Sequence, residues 1–261
     1  MTYPSIRLER TGSIGELILN KPAKRNALSV DMWQAVPELM RIAVEEADIN
    51  VVIIHGGDAG AFASGADISE FETIYATPES AERSGDTIEA ALKAIETCEK
   101  PVIAAIDGAC FGGGVSIAMA ADLRVGARSA TFGVTPGRLG LVYPAGDTRR
   151  LLAAIGPGPT KDILFTGRAF DAEEAFEISL LDRLVEPGEA LAAAHAFASD
   201  ISAISQWSVR ATKRMIRGMQ NGGREEDAAP RQLFLDGFAN EDFQEGYRAF
   251  LEKRPANFTF K

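Results

Sequence analysis

The chain of 261 residues has little of what most often announces a chemistry. It carries two cysteines, Cys98 and Cys110, too few for the disulfide framework of a small secreted domain. It carries two histidines, and neither has a triad partner nearby in sequence, so His55 reads as a packing or loop residue at a strand end. No apolar run approaches the roughly 18 residues of a membrane-spanning helix. The opening MTYPSIRLERTG lacks the apolar stretch of a signal peptide, so a reducing, cytoplasmic location is the expectation. Positive charge is also in deficit. With 27 Lys and Arg against 37 Asp and Glu, the net charge of −10 argues against nucleic acid and anionic membranes as partners. Neither G-x-G-x-x-G nor G-x-x-x-x-G-K-[ST] occurs.

What is present is an organising stretch from Lys100 to Asp122, KPVIAAIDGACFGGGVSIAMAAD. The continuous apolar run Val102 to Ile106 suits a strand buried on both faces. Gly112, Gly113 and Gly114 then allow close backbone approach, and good helix formers follow. A helix starting there points unpaired N–H groups at the turn, a place for developing negative charge. A second stretch has the same form: Val51 to Ile54, the loop 55 to 60, then AFASGADISEF at 61 to 71. Small residues again follow a buried strand, which lets the Ala66 N–H converge with that of Gly113.

Four segments, FASGADISEF, KPVIAAIDGACFGGG, ATFGVTPGRLGLVYPAGDTRRL and EGYRAFLEKRPANF, resemble the crotonase superfamily of enoyl-CoA hydratases and isomerases, in its order and spacing. The resemblance implies a crotonase (ClpP/crotonase-like) fold, an α/β architecture of repeated ββα units. It also implies a backbone oxyanion hole, from Ala66 and Gly113, for the thioester carbonyl of an acyl-CoA. The CoA thioester is then the substrate, and neither cofactor nor metal is expected. The loop NKPAKRNAL would place Lys24, Arg25 and Ala27 near the CoA phosphates or pantetheine arm, where cations meet phosphate oxygens. Ser64, Asp67 and Ile68 flank Ala66 in the substrate-binding set, and Asp67 and Asp122 are also read as organisers.

The chain departs from its relatives at the proton carriers. Hydratases of the family place glutamates where this chain has Ser116 and Pro136, and neither side chain replaces a carboxylate base. Ser116 in GVSIA is a near miss for a nucleophile elbow and is better explained by local backbone bonding. The loop containing Thr135, Pro136 and Tyr143 is similar to that of methylmalonyl-CoA decarboxylase, in which a tyrosine at the position of Tyr143 faces the substrate carboxylate. Loss of CO2 yields the thioester enolate without a base, so decarboxylation of a malonyl-type CoA stands ahead of double-bond isomerisation. A conventional enoyl-CoA hydratase of fatty-acid β-oxidation and an inactive acyl-CoA binder are the alternatives. Asp147, ahead of an apolar LLAAIG, reads as a helix N-cap, with replacement of a lost glutamate as the sharper alternative.

Elsewhere the pattern predicts a hairpin of Ile6 to Glu9 with Ile14 to Leu19, and a helix capped by Ser29 with a kink or late start at Pro37. It predicts a polar surface segment from Ile74 to Thr87 before a helix from Ile88 to Glu99. Residues 1–195 are assigned to the core and 196–261 to a helical trimerisation subdomain. Phe250 and Lys253 match family residues that approach the CoA adenine of a neighbouring subunit, in a homotrimer or dimer of trimers. The stripe Arg210, Lys213, Arg214 and Arg217 reads as a solvated helix face.

Overall fold

A computed structural model describes residues 3–224 and 227–260. The predicted hairpin forms from β1 (Ile6–Thr11) and β2 (Ile14–Leu19). Next come α1 (Val30–Glu45), β3 (Val51–His55), β4 (Ala61–Ala63), α2 (Phe71–Ile74) and α3 (Pro78–Glu96). The organising stretch becomes β5 (Val102–Ile106), β6 (Ala109–Phe111) and α4 (Gly113–Ala120). After it run β7 (Leu123–Ala127), β8 (Thr131–Gly133), α5 (Ala145–Ile155), α6 (Pro157–Thr166), β9 (Ala169–Asp171), α7 (Ala172–Glu177) and β10 (Arg183–Val185). The chain ends in α8 (Ala190–Ser202), α9 (Gln206–Gln220), α10 (Ala228–Ala239) and α11 (Glu241–Glu252).

The strands divide into two sheets, a six-stranded one in the order β1-β2-β3-β5-β7-β10 and a four-stranded one in the order β4-β6-β8-β9. Each of the pairs β3–β4, β5–β6 and β7–β8 sends its first strand to the larger sheet and its second to the smaller. That is the repeated unit the crotonase reading requires. β5 shows why its sequence has no polar alternation. Val102, Ala104 and Ile106 enter the core beneath α1, α3 and α4, while Ile103 and Ala105 face a second core under α8. Ala190, Ala194 and Ala198, one turn apart and fully buried, let α8 lie close on the sheet; residue 195 falls within that helix.

The segment 74–87 differs from its expectation, since α3 already begins at Pro78. Thr77 and Ser80 form a reciprocal capping box around Pro78 at the first helical position. The inward stripe of that first half is Ser80, Ala81, Ser84 and Thr87, small residues at helical spacing that carry no hydrophobic signal. α1 runs through Pro37. Its cap also differs: Ser29 makes no capping bond, and the Glu70 carboxylate accepts the Val30 N–H at 2.9 Å instead.

One buried polar residue ties these loops together. Asn26 is fully buried with φ of 55°. Its side-chain amide donates to the carbonyls of Gly56, Ala61 and Phe62 at 2.8, 3.0 and 3.2 Å, and its Oδ1 accepts the Lys21 N–H at 2.8 Å. Asn26→Ala leaves these buried partners unpaired and is expected to cost about 3 kcal/mol or more, measured by denaturant unfolding. A loss below about 1 kcal/mol would show that water replaces the amide.

Candidate active site

The site begins where β4 and β6 pair in parallel, Ala61 with Ala109 and Ala63 with Cys110. This pairing carries the two small-residue turns out side by side. Leu28 then fixes the first turn. Its N–H donates to the Gly65 carbonyl at 2.8 Å and its carbonyl accepts the Asp67 N–H at 2.9 Å. Gripping the residues on either side turns the Ala66 N–H away from Leu28, and among the described residues it meets no acceptor. Gly113 is the first residue of α4, so its N–H has no partner within the helix. Gly112 precedes it at φ 48° and ψ −109°, a conformation open to glycine. A Cβ on Gly112 would lie 3.9 Å from the Gly65 Cα, a measure of how closely the turns approach. A Cβ on Gly113 would come within 2.9 Å of Leu28 and 3.0 Å of Trp33. Two free amides on adjacent rigid turns can bind an oxygen as charge develops on it.

Beside the turn lies a buried polar chain. Ser116, on the first turn of α4, shares a 2.8 Å hydrogen bond with the Tyr143 hydroxyl, and either oxygen can donate. Burial, and then the charge of Asp147, push the Tyr143 hydroxyl far above its ordinary range. Asp147 lies beside Ser116. It is not the cap of α5, because Pro144 holds that position and places Asp147 in the first turn, 3% exposed. Proline pre-sets the helix three residues ahead of the aspartate. Burial pushes the Asp147 carboxyl up to about 6, against the opposing pull of Arg150 and Ser116. Arg150, 3.3 Å from Asp147, is itself buried and is shared with Glu89 and Glu96 at 3.0 and 2.9 Å, so its charge is divided among three carboxylates. The arrangement is a carboxyl poised near neutrality, linked to two hydroxyls.

The other sequence-predicted residues separate into those near the turns and those occupied elsewhere. The Lys24 ammonium is held by Asp67 at 2.8 Å and by the Ser69 hydroxyl at 2.8 Å, so it enters an ion cluster rather than standing free for phosphate. Asp67 is buried, and Lys21, Lys24 and Ser69 hold its carboxyl well below the usual carboxylate range. Lys21 donates to the Asp67 Oδ2 at 2.8 Å and the Ser69 hydroxyl to its Oδ1 at 2.6 Å, which ties the loop at 21 to the turn. Arg25 stays exposed, in the left-handed region at φ 51°, while its carbonyl accepts the Ser64 N–H. Ala27 is buried. Ile68 is 68% exposed at the rim, with Leu139, Leu141 and Val142 exposed across the loop after β8. Thr135 and Pro136 open a 3-10 turn over 136–139 and are half-buried. Phe250 and Lys253 lie on and just beyond α11, where Phe250 is 82% exposed. The residues that sequence reasoning missed are Asn26, Glu70 and Arg150; an arginine three residues after a helix-start aspartate, one helical turn on, was the available sign of the last.

Comparison with known proteins bears on the family and the fold. The model of the family "Enoyl-CoA hydratase/isomerase" matches residues 9–261. Crotonyl-CoA hydratase of Syntrophomonas wolfei is 35% identical over 262 residues, the full length of both chains. A crystal structure of an enoyl-CoA hydratase/isomerase family protein from Hyphomonas neptunium shares 67% identity, with a TM-score of 0.97 over 98% of each chain. Enoyl-CoA hydratase from Bacillus anthracis superposes with a TM-score of 0.91 at 30% identity, over 98% of this chain and 100% of that one. With a family match over nearly its whole length and a relative 35% identical from end to end, the chain belongs to the enoyl-CoA hydratase/isomerase family of the crotonase superfamily.

Proposed function

We propose that the chain is an enzyme that converts an acyl-CoA to its thioester enolate, held by the Ala66 and Gly113 amides, and that Asp147 carries the proton. The single observation that carries this reading is the buried Asp147 carboxyl beside Ser116 and Tyr143, with Ser116 and Pro136 in place of the usual carboxylates. Hydration asks for one group to take a proton from water and another to deliver one to carbon. A single carboxyl near neutrality suits a reaction in which the same group takes a proton at one carbon and returns it at another. Double-bond isomerisation of an enoyl-CoA is such a reaction, and the assignment rests on Asp147 being the nearby carboxyl whose affinity for a proton fits both halves.

Decarboxylation of a malonyl-type CoA is the second reading, and the choice between the two turns on the direction of one hydrogen bond. If Ser116 donates to Tyr143, the phenolic proton is left for a substrate carboxylate; if Tyr143 donates to Ser116, the chain runs on toward Asp147. Tyr143→Phe separates the two. It is expected to slow CO2 loss about tenfold or more with little change in KM, and to leave isomerisation within about threefold. The exposed rings of Phe234, Phe238 and Phe243 on α10 and α11 support a trimer or dimer of trimers, in which Phe250 and Lys253 reach a neighbour's CoA.

The deciding experiment incubates the protein with crotonyl-CoA, a 3-enoyl-CoA and methylmalonyl-CoA. Water gain, double-bond migration and CO2 loss are followed separately by mass. Migration without water gain is the expected result. Robust hydration of crotonyl-CoA would overturn the reading and show that Asp147 and a bound water do the work of two glutamates.

A further inference from the structure

The basic stripe on α9 is only partly the solvated face its sequence predicts. Lys213 donates to the Lys100 carbonyl at 2.9 Å and to Asp122 at 2.5 Å, and Arg217 donates to the Thr97 carbonyl at 3.0 Å. These bonds draw α9 onto the end of α3 and enclose a cavity of about 60 Å³. Arg210, Lys213, Arg214 and Arg217 line it on one side, and Thr97, Cys98 and Glu99 on the other. Arg210 reaches in with its guanidinium 5.4 Å from the Phe260 ring, and its Nε and Nη2 are buried without an acceptor among the described residues.

That is an unusual charge distribution for a chain with a net charge of −10. Four cations line the cavity and Glu99 is its one carboxylate; Asp122 is taken up by Lys213. A buried guanidinium edge without an acceptor is costly, and a tetrahedral oxyanion is the group its paired donors fit. The cavity has room for one such ion and is too small for a nucleotide or a lipid headgroup with its chain. None of its lining residues belongs to the site at Ala66 and Gly113. Lys213 does reach toward that site: the Asp122 carboxylate it holds also accepts the Val102 N–H at 2.7 Å, at the start of the strand that leads to the glycine turn.

We propose that this cavity is a binding site for a small free oxyanion of phosphate type, held chiefly by Arg210 and Arg214. Burial disfavours the charge on Arg210, and a bound oxyanion would offset that cost.

The test titrates the protein with inorganic phosphate at ionic strength held constant with sodium chloride, read by calorimetry and by thermal unfolding. Saturable binding and a rising Tm are expected, with apparent affinity about tenfold or more weaker in Arg210→Gln and in Arg214→Gln. Arg214 is exposed, so its variant keeps the test intact if Arg210→Gln folds poorly. Equal stabilisation by chloride alone would overturn the proposal, as would undiminished phosphate binding in both variants. If the native protein binds no phosphate while both variants change oligomeric state, the cations instead receive carboxylates from a second copy of the chain, and the proposal falls.

Discussion

Asp147→Asn is expected to lower kcat by about 10²- to 10⁴-fold on the preferred thioester, the range lost when a positioned proton carrier is removed. Asparagine keeps the shape and can still face Arg150, so the fold should survive. The pH dependence gives the sharper readout. A carboxyl pushed up to about 6 should produce a limb in the kcat profile with an apparent pKa near 6, and that limb should vanish in the variant. The stability sign is opposite to that of an ordinary paired carboxylate. The folded carboxyl holds its proton more tightly than the unfolded one, so its effect on stability worsens as pH rises from about 4 to 6 and stays constant above. Asp147→Asn should therefore be no less stable than the parent at pH 7 and less stable relative to it near pH 4. Full activity with an unchanged profile would remove Asp147 from the mechanism.

Ala66→Pro is expected to cost about 10² to 10³ in kcat, the value of one fixed donor to a developing oxyanion. Proline at this position deletes the one group the hole needs from the first turn. The Ala66 N–H has no internal acceptor, so no structural hydrogen bond is lost, and the side chain is exposed. Gly65, at φ 103°, is the preceding residue and tolerates a following proline better than any residue with a Cβ. Gly113→Pro removes the partner donor but also drives its ring into Leu28 and Trp33, so its loss of activity would mix chemistry with packing. Unfolding midpoint and kcat measured together settle the matter: an unchanged midpoint with unchanged kcat would show that Ala66 does not contact the substrate oxygen.

The two close-lying turns of the candidate site were legible in the sequence. Triple glycine after an apolar strand, and small residues after another, state where the main chain must approach a ligand. The parts built from burial were not. Asp147 stands three residues after a proline and before Thr148, which fits a cap as well as a buried first-turn residue; only the packing of α3 against α5, through Glu89 and Glu96 on Arg150, distinguishes them. β4, β6, β8 and β9 have three residues each, too few to display a period. None of the residues of α10 is buried within the chain, so its sequence has no single inward stripe to announce a helix. Lys24 was expected near the CoA phosphates from the resemblance of its loop and from its charge, and the acidic residue that pairs with it, Asp67, lies 43 residues away.

The two amides proposed to form the hole belong to the main chain, and no change of codon at positions 66 or 113 removes them except one to proline. The proton carriers are side chains, each open to replacement in a single mutational step. A scaffold of this kind separates what must be inherited from what can drift. Lineages built on it can exchange residues 116, 136, 143 and 147, and so change reaction, without passing through an ancestor that has lost its grip on the thioester oxygen. A saturation library scored for thioester binding should accordingly tolerate variety at those four positions and reject most substitutions at Gly112, whose backbone conformation at φ 48° excludes a side chain.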